Sequence, residues 1–239
     1  MNQTSRCDEL FELFRMAQKK DVFNGCIGVY ENGKPLLEAG FGLSDFQENQ
    51  PLTPDSCFDL ASITKQFTTA AIMLLRDWGR LSLDDEMEKF FPGFPYKDVT
   101  VRMLMNHTSG LPDEDWVIPF LEDKTKPIDN QKLLDVILRQ PAAPLFAPGQ
   151  GWFYSNIAYE LLASIIELAS GRNFEEFVQT ELLDKAGMSH SRVHHRFSGI
   201  EDPSGMTKSY LMENGEMVEP QNALGRDGII PLEGVNGAG

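Results

Sequence analysis

The sequence predicts an α+β fold, with strands towards both ends of the chain and helices between them. Asn32-Gly33 and Asn214-Gly215 each lie between short apolar runs, which is a strong signal for a β-hairpin. Several segments between these hairpins repeat apolar residues at helical spacing and then reach a glycine. We therefore expect helices and strands to share one domain over residues 1–239.

The region 1–60 is expected to hold a helix and the N-terminal hairpin. Apolar side chains share one face of a helix over residues 8–19. Two strands follow at 24–31 and 35–43, joined by a turn at Glu31–Lys34.

The region 61–190 is expected to be mainly helical. A long helix runs from Ser62 to Trp78 and stops at Gly79, and its middle is apolar nearly all round, which predicts a central buried helix. Thr100 has the side chain of an N-cap for a short helix over 101–107. Further helices are expected at 131–139, at 157–170 before Gly171, and at 174–186 before Gly187.

The region 191–239 is expected to contain loops and the second hairpin, whose strands are 210–212 and 216–218. The last residues, from Val235 to Gly239, are rich in glycine and show no pattern of a closing element.

The composition is that of a globular protein that does not bind nucleic acid. Hydrophobic residues make up 41% of the 239, and the formal net charge of −15 repels both nucleic acid and anionic membranes. Three widely spaced cysteines predict reduced, mostly buried thiols rather than a disulfide framework. The N-terminus lacks a signal-peptide pattern and no apolar stretch approaches about 18 residues. A cytoplasmic protein is therefore favoured, or a periplasmic or secreted one if an export signal was removed.

Ser62 and Lys65 carry the sharpest chemical signal. Positions i and i+3 share one face of a helix, so the hydroxyl and the amine are expected to lie side by side. A serine hydroxyl becomes a good nucleophile when a neighbour accepts its proton, and a lysine among apolar residues can do this. The alternative is a capped helix with a surface lysine, because the spacing alone is common.

Tyr154 and Asn156 form a second candidate group at the start of the predicted helix 157–170. A tyrosine beside a lysine ammonium can act as a proton acceptor, and an asparagine can orient that lysine or a substrate amide. Tyr30 and Asn32 repeat the same spacing within the hairpin turn, so the pattern alone is weak.

Further motifs surround these residues in a fixed order. They are Ala61–Thr68, Gly79–Asp85, Pro92–Pro95, Val99–Pro112, Phe146–Gly149, Phe153–Asn156 and Gly187-Met188. Together they resemble class C β-lactamases, low-molecular-weight penicillin-binding proteins and related esterases. The resemblance implies an α/β sandwich of the β-lactamase/transpeptidase type, with an antiparallel sheet and a helical subdomain.

The same resemblance implies a serine hydrolase that forms an acyl-enzyme on an amide or ester. Ser62 attacks the carbonyl, Lys65 and Tyr154 shuttle the proton, and Asn156 positions lysine and substrate. No cofactor or metal is implied. The substrate can be a D-alanyl peptide, a β-lactam, a D-amino-acid amide or a short ester, and the sequence slightly favours a peptidase or esterase over a resistance β-lactamase.

The family's third motif, on a C-terminal strand that also gives the second oxyanion-hole N–H, is not found in this sequence. We therefore expect a truncated domain whose hairpin at 24–43 lacks its strand partners, and a fragment that is inactive by itself. His107-Thr108-Ser109-Gly110 looks like that motif, but its position between MLMN and LPD makes it a structural turn.

Other residues permit a functional and a structural interpretation. Trp116 and Trp152 could line a substrate pocket, as could Phe120, although large aromatic residues more often belong to a core. His190 and His194 have helical metal-ligand spacing but no suitable further ligand, so a solvated loop, which would include His195, is favoured.

Two rival functions remain open at this stage. The same scaffold could serve binding or assembly without catalysis. An α/β-hydrolase is disfavoured, because no serine here has the Gly-x-Ser-x-Gly pattern of its strand-to-helix turn.

Overall fold

A computed structural model of the chain describes residues 3–124, 126–193, 206–219 and 236–238. It combines helices with antiparallel strands, in agreement with the expected α+β class. The chain divides into two compact units. The first comprises Met1–Asp59 and Glu201–Gly225, and the second comprises Leu60–Ile200 and Arg226–Gly239.

The first unit begins with a helix and a hairpin. Helix α1 (Gln3–Lys19) precedes strands β1 (Gly25–Glu31) and β2 (Lys34–Phe41), which pair antiparallel. The turn residues Asn32 and Gly33 have φ values of 52° and 73°, the backbone that an Asn-Gly hairpin requires. Helix α1 contacts β2, and aromatic rings from both elements pack together. The helix and the hairpin predicted for this region are thus confirmed.

Two further hairpins complete the described part of this unit. Strand β3 (Leu43–Asp45) pairs with β4 (Gln50–Pro51), and β5 (Leu211–Glu213) pairs with β6 (Glu216–Val218). The second pair confirms the hairpin predicted around Asn214-Gly215.

Asp45 links the segment 206–219 to the early strands. Its Oδ1 accepts from the Tyr210 hydroxyl at 2.8 Å, and its Oδ2 lies 2.9 Å from Lys208 Nζ. The backbone N–H of Glu48 and the Lys208 ammonium hold the pKa of the Asp45 carboxyl well below its usual range.

The second unit is helical. It also contains short 3₁₀ turns, at Ala61–Ile63 directly before the first α-helix and at Met87–Lys89, Glu114–Trp116 and Ile118–Phe120 between later helices. The α-helices are α2 (Thr64–Asp77), α3 (Val101–Met105), α4 (Asn130–Arg139), α5 (Asn156–Ser170) and α6 (Phe174–Val178).

Caps mark several of these helix ends where the sequence predicted them. The Thr100 hydroxyl accepts from the backbone N–H of Met103 at the start of α3. Gly171 is left-handed, with φ of 74°, at the end of α5.

Helix α5, rather than α2, is the central helix of this unit. Every residue from Ile157 to Ile166 is buried, and α5 packs against α2, α3, α4 and α6. Helix α2 buries one face against α5, while Ala70 and Trp78 are exposed. The prediction of α2 as the central, buried helix was therefore wrong for this unit, because α2 buries one face while α5 is buried along most of its length.

Helix α6 is shorter than expected. It ends at Val178 and continues as a π-helical turn, Gln179–Leu183, before the left-handed Gly187. The Thr180 hydroxyl donates to the Glu176 carbonyl at 2.8 Å, a side-chain bond that competes with regular helix geometry.

Two smaller expectations concern the cysteines and the membrane. Cys7, Cys26 and Cys57 form no disulfide with one another, and they are half-buried rather than mostly buried. Among the residues described, no helix has both the length and the apolar character needed to cross a membrane.

Replacing Leu162 by Ala tests the central position of α5. Leu162 is 0% exposed, so the cavity should lower the free energy of unfolding by about 2–5 kcal/mol. Leu168→Ala is the matched control on the same helix, since Leu168 is 59% exposed, and should change it by less than about 0.5 kcal/mol. Chemical denaturation measures both values, and equal effects would contradict this assignment.

Candidate active site

Ser62 lies on a strained turn directly before α2. It occupies the 3₁₀ turn Ala61–Ile63, and Ala61 has a φ of 44°, a left-handed conformation that a non-glycine residue rarely adopts. Such strain costs roughly 1–3 kcal/mol and persists only where the surroundings impose it. The turn leaves Ser62 exposed, while α2 begins at Thr64 and carries the neighbouring lysine inwards.

Lys65 is buried, at 7% exposure, and its amine has three hydrogen-bond acceptors. Nζ donates to Ser62 Oγ at 3.3 Å, to Asn156 Oδ1 at 2.7 Å and to the carbonyl oxygen of Ala238 at 2.6 Å. An ammonium has three N–H donors, so each one has an acceptor. The amine also faces the ring of Tyr154, with its centroid 4.9 Å away.

Tyr154 completes the contacts around the serine hydroxyl. Its own hydroxyl donates to Ser62 Oγ at 2.7 Å. Ser62 Oγ thus accepts from both Lys65 and Tyr154, and either partner could receive the serine proton once it has lost its own.

The start of α5 places Tyr154 and Asn156 beside Ser62 and Lys65. Ser155 is the N-cap of α5, and its hydroxyl donates to the Pro112 carbonyl at 3.0 Å. The backbone N–H of Asn156 donates to Asp113 Oδ1 at 2.8 Å, and its Nδ2 donates to Glu114 Oε1 at 3.0 Å. The segment after α3 therefore anchors the residues that approach Ser62.

The segment 236–238 packs beside Lys65. The Gly237 carbonyl accepts from the Thr68 hydroxyl at 2.8 Å, and Asn236 exchanges two hydrogen bonds with Asn130. Gly237 has a φ of 105°, and a Cβ there would lie 2.4 Å from the Tyr159 carbonyl oxygen. The glycine-rich pattern gave no sign of this role, because it rests on close backbone approach rather than on a side chain.

His107 supports the same group from the turn after α3. Its Nδ1 accepts from the backbone N–H of Ser155 at 3.2 Å, and its ring lies 4.6 Å from that of Tyr154. Burial, together with the Lys65 charge, lowers the pKa of the His107 imidazole. The position in the turn agrees with the structural interpretation of 107–110, but the contact with Tyr154 was not foreseen.

Two carboxyl groups near Asn156, those of the half-buried Glu114 and the buried Glu160, each have an oxygen shielded from water. Burial raises the pKa of Glu114 to about 9, with further contributions from its hydrogen bond to Asp113 and from the charge of Glu160. Burial raises the pKa of Glu160 to about 8, and Asp113 adds to this while Lys65 opposes it. Within the described part of the chain, Oε2 of each glutamate is buried without a hydrogen-bond donor. Both carboxyls are therefore favoured in their protonated forms near neutral pH.

The structure brings four of the predicted site residues together: Ser62, Lys65, Tyr154 and Asn156. Trp152 is 66% exposed, and its ring lies 6.0 Å from that of His107, at the edge of this group. Trp116 is half-buried and packs against the core and Phe120.

His190 lies in the described chain, whereas His194 and His195 lie outside the described residues. The contributions of His107, Glu114, Glu160 and Ala238 were missed. Of these four, only Glu160 could have been found from the sequence. It lies within an apolar helical run, and an acidic residue in such a run is expected to be buried.

Comparison with known proteins supplies the family. Residues 13–224 match the Beta-lactamase family, and the chain belongs to it. Penicillin-binding protein 4* of Bacillus subtilis (strain 168) is 36% identical over 241 residues, which cover 100% of this chain and 53% of that protein. The chain thus spans about half the length of this curated relative.

Solved structures share the fold. A penicillin-binding protein homologue from Pyrococcus abyssi, described as octameric, has a TM-score of 0.74 at 28% identity, covering 99% of this chain and 52% of its own. D-amino acid amidase from Ochrobactrum anthropi SV3, complexed with L-phenylalanine amide, has a TM-score of 0.72 at 25% identity. The match covers 98% of this chain and 65% of the amidase chain. These similarities confirm the β-lactamase/transpeptidase-like fold and the family resemblance.

Replacing Glu160 by Gln tests its buried, protonated state. The folded carboxyl has a raised pKa of about 8, so wild-type stability should fall as pH rises from about 4.5 to about 8. The neutral amide removes the part of this dependence that Glu160 contributes, while Glu114 keeps its own. Unfolding free energies at pH 5 and pH 8 should show a gain for Glu160→Gln that grows with pH, on the order of a few kcal/mol.

The exposed Glu122 provides the control, because Glu122→Gln should leave the wild-type pH dependence in place. A pH-independent difference between Glu160→Gln and wild type would rule out a raised pKa.

Proposed function

We propose that the protein is a serine hydrolase that acts through an acyl-enzyme on an amide or ester, with Ser62 as nucleophile. One observation carries this proposal: Oγ of the exposed residue Ser62 is in hydrogen-bond contact with both Lys65 Nζ and Tyr154 Oη. A nucleophile with adjacent proton acceptors is the arrangement that acyl transfer requires.

In the proposed first step, Ser62 Oγ forms a bond to the substrate carbonyl carbon. Its proton passes to Lys65 or Tyr154, whichever is in its basic form. The carbon–nitrogen or carbon–oxygen bond to the leaving group then breaks, and the same proton is delivered to that leaving atom. Water repeats the sequence on the Ser62 ester, which releases the acid and restores the serine.

Charge on the carbonyl oxygen also needs stabilisation. The backbone N–H of Ser62 is the proposed first oxyanion donor, at the N-terminal end of α2. By family resemblance a second donor accompanies the family's third motif. Loss of one such donor typically lowers the rate by about 10²–10³.

The substrate is proposed at the level of its reactive bond. The amidase relative supports an amide, and the relatives described as penicillin-binding proteins support a β-lactam. The family resemblance adds a D-alanyl peptide. An apolar acyl group is favoured, because Trp152 and Phe153 are exposed next to Tyr154.

A fluorophosphonate probe tests the nucleophile on the complete natural protein that carries this chain. We expect one covalent adduct, located on Ser62 by peptide mass spectrometry, since such probes report serines activated by a neighbouring base. Ser62→Ala should lose the adduct and the turnover of any amide or ester substrate.

Ser82→Ala is the control, because Ser82 is an exposed serine in another turn and should leave labelling unchanged. Absence of an adduct on wild-type protein would instead favour a scaffold used for binding or assembly. The same probe on the isolated 239-residue chain tests the expectation that it is inactive by itself.

A further inference from the structure

The side-chain amide of Asn156 lies between a cation and a carboxyl group. Its Oδ1 accepts from Lys65 Nζ at 2.7 Å, and its Nδ2 donates to Glu114 Oε1 at 3.0 Å. An amide has one accepting and one donating end, and a lysine ammonium can only donate. Glu114 therefore supplies the acceptor that keeps Oδ1, rather than Nδ2, turned towards Lys65.

Asp113 holds the same residue from its backbone side. Its Oδ1 accepts from the N–H of Asn156 at 2.8 Å. Asp113, through a hydrogen bond and through its charge, also helps to raise the pKa of Glu114. Both carboxyls are acceptors when ionised. Glu114 Oε2 is buried without a donor among the residues that the structure describes, so a proton shared with Asp113 would satisfy both groups.

We propose that Glu114 is a positioning residue: as a neutral acid hydrogen-bonded to Asp113, it fixes the Asn156 amide in the orientation that holds Lys65 against Ser62. This inference rests on the proposed function, since its consequence is measured through Ser62. Glu114 acts through Asn156 and does not itself exchange a proton with the serine.

The charges around Glu114 explain why its protonated, neutral form is the one that positions Asn156. Asp113 and Glu160 face it as acids, and Lys65 lies beyond Asn156 as the nearby cation. His107 is also close, since the Lys65 charge lowers the pKa of its imidazole and the Asp113 charge raises it. Ionisation of Glu114 would place a second negative charge beside Asp113, where little water screens it. The repulsion between the two carboxylates would push Glu114 away from Asn156.

Glu114→Gln and Glu114→Ala separate shape from charge. Glutamine can accept from Asn156 through its oxygen and donate to Asp113 through its amide nitrogen, as the protonated acid does. Alanine removes both bonds. On the complete natural protein, the rate of Ser62 labelling by a fluorophosphonate at pH 7 should fall about 10- to 100-fold in Glu114→Ala and stay within about threefold in Glu114→Gln.

The pH profile gives a readout that a merely structural role would not move. Labelling rates are measured from pH 7 to pH 10.5 for wild type and Glu114→Gln, and their ratio cancels ionisations that both proteins share. Because the pKa of Glu114 is raised to about 9, the ratio of wild type to Glu114→Gln should fall above that pH. The exposed Glu122→Gln serves as control and should follow the wild type throughout.

Several outcomes would overturn the inference. A ratio that stays constant through pH 10.5 would show that Glu114 does not work as a neutral acid. At pH 7, a labelling rate of Glu114→Gln as low as that of Glu114→Ala would also show that a neutral hydrogen-bonding group at this position is not enough. If circular dichroism shows that Glu114→Ala does not fold, the pH profile of Glu114→Gln relative to wild type still tests the inference. Absence of wild-type labelling at every pH refutes the proposed function itself and is thereby distinguished from these results.

Discussion

The buried amine of Lys65 is the constraint on which the second unit is built. A cation at 7% exposure is unfavourable unless each N–H donor finds an acceptor. Those acceptors come from Ser62, Asn156 and Ala238, and the last two lie 91 and 173 positions away from Lys65. Satisfying one ammonium therefore brings three separate chain segments to a single point, and the same contacts place the serine hydroxyl beside a group that can exchange protons.

The carboxyl groups behind Asn156 balance this cation without surrounding it with full negative charge. Glu160 is buried, and Glu114 is half-buried with its Oε2 shielded from water. The pKa values of both carboxyls are raised, so near neutral pH they act as neutral hydrogen-bonding groups. Asp113 accepts from the backbone of α5. A chain of hydrogen bonds thus runs from Asp113 and Glu114 through Asn156 to Lys65. Buried networks of this kind restrict side-chain orientation more than they add stability.

Much of the fold could be predicted because its signals are local. The Asn-Gly turns, the Thr100 cap and the Gly171 stop depend on backbone preferences of one or two residues, and each lies where the sequence placed it. The central position of α5 could not be predicted in this way. The apolar pattern of α2 is nearly as continuous, and only the packing of neighbouring helices decides which helix is enclosed.

The sequence by itself determined the pairing of Ser62 with Lys65, because a three-residue spacing along the helical turn that leads into α2 fixes that neighbourhood. Its ordered motifs indicated the family. Tertiary structure alone decided the rest of the site. It brings the Ala238 carbonyl and the His107 ring to this point, and it shields Glu114 Oε2 from water. These features depend on distances between remote segments and on exclusion of water, and the spacing of residues along the chain determines neither of them.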